Sequence, residues 1–286
     1  MGLWDGMEPE GQLLDDELFR LFCKLVHDQT GLSFGPSSRF FFEKRLQNRL
    51  EALGGLPPRD YYHFLQYDAD RAQEWDALIA LITTNETYFM REERQLQCFL
   101  LDIVPALRAA RPGQRLRIWS AGCSSGEEPY SVAILLTEAG LWTEGAFDIL
   151  GTDINTRVLA RAREGVYAES SFRGVPPAFK ARWFEPEGPN RYRLKEEIRK
   201  KVQFSRFNLF DMDRYAFFSP FDVIFCRNVI IYFDMEAKAR VMEKFHEKLR
   251  AGGFLLLGHS ESLISVTDRF RLVHLPHDLV YTKEGP

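Results

Sequence analysis

The chain is expected to fold as an α/β protein: a parallel sheet covered by helices, with an all-helical domain before it and a small β-element inserted in it. Three observations predict this. A length of 286 residues, with 45% hydrophobic and 27% charged and a mean hydropathy of -0.27, is the balance of a globular protein with a full core. Apolar residues recur at helical spacing through the first third. Beyond Pro112-Gly113 short apolar strands alternate with helical runs, the pattern of a parallel sheet.

Residues 1–14 read as a flexible acidic arm, since positions 1 to 17 hold six acids and no Lys or Arg. The helical domain is expected over 15–112. Leu18, Leu21, Phe22 and Leu25, then Phe42, Leu46, Leu50 and Leu53, recur at three and four. Gly54-Gly55 and Pro57-Pro58 punctuate it, and Pro112-Gly113 closes it. Over 113–286, strands are expected at 116–121, 147–152, 202–207, 222–226 and 254–258. Helices are expected from Glu127, over 155–163 and over 235–249. Between about 180 and 200 the rhythm breaks. Arg182-Trp183-Phe184-Glu185 and Arg191-Tyr192-Arg193-Leu194 flank a Pro- and Gly-containing turn, which reads as an inserted hairpin. Two short strands, 270–274 and 279–282, surround Pro276 and suggest an antiparallel pair at the sheet edge.

Composition excludes several function classes. A net charge of -4 and a pI near 5.9 lack the basic footprint of a nucleic-acid binder. Cys23, Cys98, Cys123 and Cys226 are 75, 25 and 103 residues apart. They form no close pair for zinc or redox chemistry and read as reduced thiols, and no metal site is expected. With no stretch approaching ~18 apolar residues and no basic-then-apolar start, a cytoplasmic location without membrane insertion is expected. Gly2 is not read as a myristoylation site, because position 6 is Gly.

The sharpest motif is Ile118-Trp119-Ser120-Ala121-Gly122-Cys123-Ser124-Ser125-Gly126-Glu127-Glu128-Pro129-Tyr130, a strand entering a glycine loop and then a helix, which is where open α/β sheets hold ligands. The spacing Gly122-x-x-x-Gly126 lacks the second glycine of a dinucleotide fingerprint, which weakens an oxidoreductase reading. Glu127 and Glu128 would repel a phosphate from the helix start. A cationic ligand such as the sulfonium of S-adenosyl-L-methionine meets no such repulsion. Locally, Ser125 and Glu128 also fit a capping box. Asp153, after the second strand, suits a ribose acceptor or the cap of the next helix, and local sequence does not separate the two.

Together with Gly151-Thr152-Asp153-Ile154 and Asn208-Leu209, this loop, the run Asn85-Glu86-Thr87-Tyr88-Phe89-Met90-Arg91 and the run Phe225-Cys226-Arg227-Asn228-Val229-Ile230-Ile231-Tyr232-Phe233 resemble the chemotaxis receptor glutamate O-methyltransferases, the CheR family. The resemblance spans roughly positions 18 to 282. It implies a Rossmann-like methyltransferase domain, an all-helical N-terminal domain and a small inserted β-subdomain. The implied activity is methyl transfer from S-adenosyl-L-methionine to receptor glutamates for chemosensory adaptation, with S-adenosyl-L-homocysteine as product. It places cofactor contacts on Asn85, Thr87, Arg91, Glu128, Asp153, Asn208, Leu209, Arg227 and Asn228, with Gly122 in the same loop. Arg91 and Tyr232 fall in the reaction centre. Met90 stands where the family usually has Phe.

Such a reaction needs no general base, since a glutamate of pKa ~4.3 is already ionised, so the lack of a Ser/His/Asp-type cluster is in keeping with it. Arg91 can hold a carboxylate in a fixed fork. From local sequence alone Arg91 reads as solvated or paired, Tyr232 as core, and His259 as a structural hydrogen-bonder. In the helical domain Arg39, Lys44, Arg45 and Arg49 surround one acid, Glu43. Such an island is ordinarily a solvated face, whereas the resemblance makes it a docking surface for the acidic methylation helices of a chemoreceptor. Some relatives grip a receptor C-terminal peptide through a G-x-G loop. Here Glu185-Pro186-Glu187-Gly188-Pro189-Asn190 has one glycine and two prolines, so independence of that tether is expected, as is a monomer. The rival readings are a non-catalytic cofactor-binding scaffold, a dinucleotide oxidoreductase and a methyltransferase for small acids.

Overall fold

The computed structural model describes residues 13–285, which form parts of two compact units, Met1–Thr84 and Asn85–Pro286. The expected acidic arm lies outside the described residues except for Leu13 and Leu14. Leu14 is no arm residue: it is buried in the first unit's core, and its carbonyl accepts a hydrogen bond from Arg39.

The first unit consists of α1 (Asp16–Thr30), α2 (Arg39–Ala52), α3 (Pro58–Tyr67) and α4 (Arg71–Ile82). Helix α1 starts where Asp15 accepts from Leu18 N at 2.7 Å, with Asp16 and Glu17 facing the positive end of the helix dipole. It stops at Gly31, whose φ of 75° suits a residue without Cβ. Its apolar stripe of Leu18, Phe22 and Val26 packs with Phe42, Leu46 and Tyr61. Burying a side chain such as Phe22 contributes about 1.5–3 kcal/mol.

The second unit opens with α5 (Glu93–Cys98), a π-helical turn (Phe99–Ile103) and α6 (Val104–Ala110). These segments were expected in the helical domain. Instead Leu96, Phe99, Ile103 and Leu107 share one buried cluster with Ile118, Val223 and Phe225 of the sheet. The division therefore falls after Thr84, not at 112/113, and Pro112-Gly113 is a turn inside the second unit. Helical periodicity shows that a stripe is apolar but not whether helices or a sheet cover it.

The remaining elements are β1 (Leu116–Ala121), α7 (Glu127–Glu138), β2 (Phe147–Asp153), α8 (Thr156–Glu164), β3 (Val166–Ala168), α9 (Pro177–Trp183), β4 (Phe184–Pro186), β5 (Arg191–Leu194), α10 (Glu196–Arg199), β6 (Val202–Arg206), β7 (Phe221–Cys226), α11 (Met235–Lys248), β8 (Leu249–Leu257), β9 (Arg271–His274) and β10 (Leu279–Thr282). Seven strands form a sheet in the order β6-β2-β1-β7-β8-β10-β9. The first five are parallel, and β10 and β9 finish the edge antiparallel. Strand β7 is buried at every position, as a strand covered on both faces must be.

The insertion is more than a hairpin. β4 and β5 pair antiparallel, but β5 also pairs with β3, giving a three-stranded sheet in the order β3-β5-β4. Arg182 and Trp183, expected in its first strand, close α9.

Candidate functional site

The strand order reverses between β1 and β7: the chain leaves β1 toward β2 and leaves β7 toward β8. The C-terminal ends of these two strands therefore open a crevice at a topological switch point. The loop after β1 forms one wall. Gly122 and Cys123 each donate to Thr152 O at 2.8 Å, while Gly122, Ser124 and Gly126 take φ of 83°, 49° and 91°. A Cβ on Gly122 would stand 2.4 Å from Val229 Cγ2. The glycine is required by its left-handed backbone and by the close approach of the loop after β7.

The two glutamates at the start of α7 part company. The capping box is not formed: Gly126 is the N-cap and makes no side-chain bond. Ser125 Oγ instead donates to Glu127 Oε2 at 2.7 Å, and Ser171 Oγ donates to Glu127 Oε1 at 3.0 Å. Burial pushes the Glu127 carboxyl up. Glu128 turns into the crevice, accepting from Ser120 Oγ at 2.7 Å and from Arg227 at 3.2 Å. Arg227, its side chain only 2% exposed, also lies 3.2 Å from Glu92 and donates to the Arg91 carbonyl at 2.5 Å. Two carboxylates thus share one guanidinium. Burial raises the Glu128 carboxyl, Arg227 opposes that rise, and Glu92 adds to it.

Asp153 ends β2. Its carboxylate accepts from Ser124 N at 2.8 Å and Asn155 N at 2.9 Å, and burial pushes it up. Asn155, not Asp153, caps α8, its side chain accepting from Arg157 N and Val158 N. A carboxylate has about four acceptor positions, so Asp153 keeps capacity for further donors. Phe207 N donates to the Asp153 carbonyl at 3.0 Å, which brings the end of β6 alongside. There Asn208 Oδ1 accepts from Phe210 N at 3.0 Å, and Leu209 is buried.

The run 85–91 lies along the same loop. Asn85 O accepts from Ser124 Oγ at 3.2 Å, and Met90 N donates to Ser131 Oγ at 3.0 Å. Phe89 anchors the run in an aromatic cluster, 4.9 Å from the rings of Tyr167 and Phe184. Thr87 is half-buried. Arg91 is half-buried too and donates to Glu86 O at 2.7 Å. It stands between two non-glycine residues in the left-handed region, Met90 at φ 59° and Glu92 at φ 52°, a costly arrangement that the Arg227 bond to the Arg91 carbonyl helps to hold. After β7, Asn228 also takes a left-handed φ of 60°. Its Oδ1 is buried without a hydrogen-bond partner. Tyr232 is 36% exposed, so local sequence misleads in placing it in the core.

These features fit an adenosine-type ligand bearing positive charge: a free buried acceptor on Asn228, residual acceptor capacity on Asp153, and a carboxylate excess around Arg227. Residues 85–279 match the family description "CheR methyltransferase, SAM binding domain", and residues 17–83 match "CheR methyltransferase, all-alpha domain". The chain belongs to the CheR methyltransferase family. It is 35% identical to chemotaxis protein methyltransferase 2 of Vibrio cholerae, over 95% of this chain and 94% of that one. Identity is 37% to the chemotaxis protein methyltransferase of Borreliella burgdorferi, over 87% and 88%. To that of Salmonella typhimurium it is 36%, over 91% and 88%.

In this CheR family member the basic island on α2 is not a free docking face. Arg39 binds Asp16 at 2.5 Å, Glu43 at 2.8 Å and Leu14 O at 2.6 Å. Arg45 stacks on Phe41 and donates to the carbonyls of Leu81 and Thr83. Arg49 grips Glu74 with two bonds of 2.7 and 2.5 Å. Lys44 is exposed. Charge spacing in sequence cannot show that a partner acid such as Glu74 lies 25 positions away. Two residues at the crevice escape motif reading: Glu92, which pairs with Arg227, and Glu261, whose carboxylate accepts from Asn228 N. Glu92 adjoins Arg91, but its link to Arg227 is long-range.

Proposed function

We propose that this chain transfers the methyl group of S-adenosyl-L-methionine to glutamate side chains of chemoreceptors, giving methyl esters and S-adenosyl-L-homocysteine. The carboxylate excess of Glu92 and Glu128 around Arg227, at the switch point and beside the glycine loop, carries this reading: a dinucleotide phosphate would be repelled there and a cationic methyl donor attracted. The bound cofactor supplies an electrophilic sulfonium methyl. Asp153 accepts from the ribose, Asn228 Oδ1 accepts from a donor on the ligand, and Asn85, Thr87, Gly122, Asn208 and Leu209 line the walls. Arg91 orients the substrate carboxylate and Tyr232 offers a phenolic donor, so that catalysis rests on alignment rather than proton transfer.

For docking, we assign the exposed Lys44 rather than the internally bonded arginines. The inserted sheet supports tether independence: β4 is an edge strand, Pro186 has no N–H, and Glu187 N is engaged with Arg191 O at 2.8 Å. Methylation of one receptor with and without its C-terminal residues, by wild type and Lys44→Glu, tests both points. Tail removal should leave the rate unchanged, and Lys44→Glu should raise the receptor KM several-fold at low salt and less at high salt. Loss of activity on tail removal, with Lys44→Glu normal, contradicts the assignment.

A further inference from the structure

We propose that Glu261 is a positioning residue whose carboxylate clamps the turn after β7, fixing Asn228 and Tyr232 at one wall of the crevice. This rests on the methyltransferase reading of that crevice. Glu261 Oε2 accepts from Asn228 N and Gly258 N, both at 2.7 Å. Oε1 accepts from Val229 N at 2.9 Å, and Val229 O in turn accepts from Tyr232 N at 3.3 Å. Backbone N–H groups from two loops thus converge on one anion. Glu261 N closes the arrangement by donating to Gly258 O at 2.8 Å. Charge-assisted bonds of this kind are roughly twice as strong as neutral ones.

The clamp has work to do. Asn228 at φ 60° sits in a region that non-glycine residues avoid, and this strained residue presents the buried, unpartnered Oδ1. One step on, Val229 packs against the space where Gly122 lacks a Cβ, so displacement of the turn moves the contact with the glycine loop as well. Gly258 is fitted to the same arrangement. A Cβ there would lie 2.7 Å from Asn228 Nδ2, 3.0 Å from Asn228 N and 3.0 Å from Glu261 Oε2. The carboxylate therefore joins the C-terminal ends of β7 and β8, and through the turn it reaches the reaction centre without touching a reactant.

The test uses the full chain and two variants that attack the clamp from opposite sides. Glu261→Gln replaces one acceptor oxygen by a donor. Gly258→Ala drives a methyl group into Asn228 N and the carboxylate. Hydrogen exchange of residues 228–231, calorimetric binding of S-adenosylhomocysteine and methyl-transfer kinetics are read below the thermal midpoint of each variant. Both variants should exchange the Asn228 and Val229 amides at least tenfold faster, bind S-adenosylhomocysteine roughly tenfold more weakly, and lose roughly 10–100-fold in kcat with a smaller change in receptor KM. Glu261→Asp, which keeps the charge, should recover part of each. The proposal is overturned if these amides stay protected in a folded variant, or if they open while binding and turnover remain at wild-type values. Should Glu261→Gln not fold, Gly258→Ala decides by the same readouts. Wild type that fails to bind S-adenosylhomocysteine contradicts the methyltransferase reading instead, and the exchange comparison still judges the clamp.

Discussion

Asp153 holds two backbone N–H groups at 2.8 and 2.9 Å, one of them in the glycine loop, so its removal costs both a ligand acceptor and a loop tether. Asp153→Ala should weaken S-adenosylhomocysteine binding roughly ten- to a hundredfold, the equivalent of ~1.5–3 kcal/mol for a bond to a charged group, and calorimetry on the folded variant checks it. Unchanged affinity removes Asp153 from the cofactor site. Burial raises the Asp153 and Glu128 carboxyls above their ordinary values, whereas ribose donors and a cationic centre favour the ionised forms. Binding should therefore release protons, weaken as pH falls through the raised range, and level off above it. Calorimetry in two buffers of different ionisation heat detects the release, and an affinity constant from about pH 8 to about pH 5 contradicts it. Arg91→Lys keeps charge but loses the fork. Methyl transfer at saturating cofactor should fall far more than thermal stability, and a wild-type rate would return Arg91 to an ordinary paired arginine.

At the scale of elements, α2 shows how a sequence pattern can be right about charge and wrong about its use. Arg49, Glu74 and Tyr61 form a network in which Glu74 Oε1 accepts from Arg49 at 2.7 Å and from the Tyr61 hydroxyl at 2.5 Å. Removing one partner from a buried pair leaves the other uncompensated. Glu74→Ala should accordingly cost the helical unit about 3–5 kcal/mol by chemical denaturation, and a loss below ~1 kcal/mol would mark the pair as solvated. Charge reversal at Arg49 would thus act through stability before it reached any receptor, which is why Lys44 is the probe for docking. The glycine loop was more legible than α2. Its backbone requirements are local, and Gly122, Gly126 and the strand–loop–helix order announce them. That the capping box suggested by Ser125 and Glu128 does not form was not legible, because Ser171 and Arg227, which claim the two glutamates, come from distant parts of the chain.

For the whole molecule, strand–helix alternation located all five parallel strands and the Pro276 region located the antiparallel edge; buried central strands such as β1 and β7 are written in their own apolar runs, whereas the largely exposed β6 and β9 were legible only from the alternation and from Pro276. The unit boundary and the third strand of the inserted sheet were not written locally. Helices α5 and α6 carry the same periodicity as helices packed on helices, and β3 is three residues long, too short for a pattern. The site was legible chiefly as separate motifs, and the chain reversal between β1 and β7 is what brings the glycine loop, Asp153 and the Arg227–Tyr232 turn to one crevice. To this crevice we assign the esterification of receptor glutamates. The measurement that tests it most directly is transfer of tritiated methyl from S-adenosylmethionine to chemoreceptor-containing membranes by the purified protein, followed by mild base. Incorporation is expected that base releases as methanol, mapped by mass spectrometry to glutamate side chains and strongly reduced in Arg91→Lys. Absence of incorporation, or a label that base does not release, would contradict the assignment.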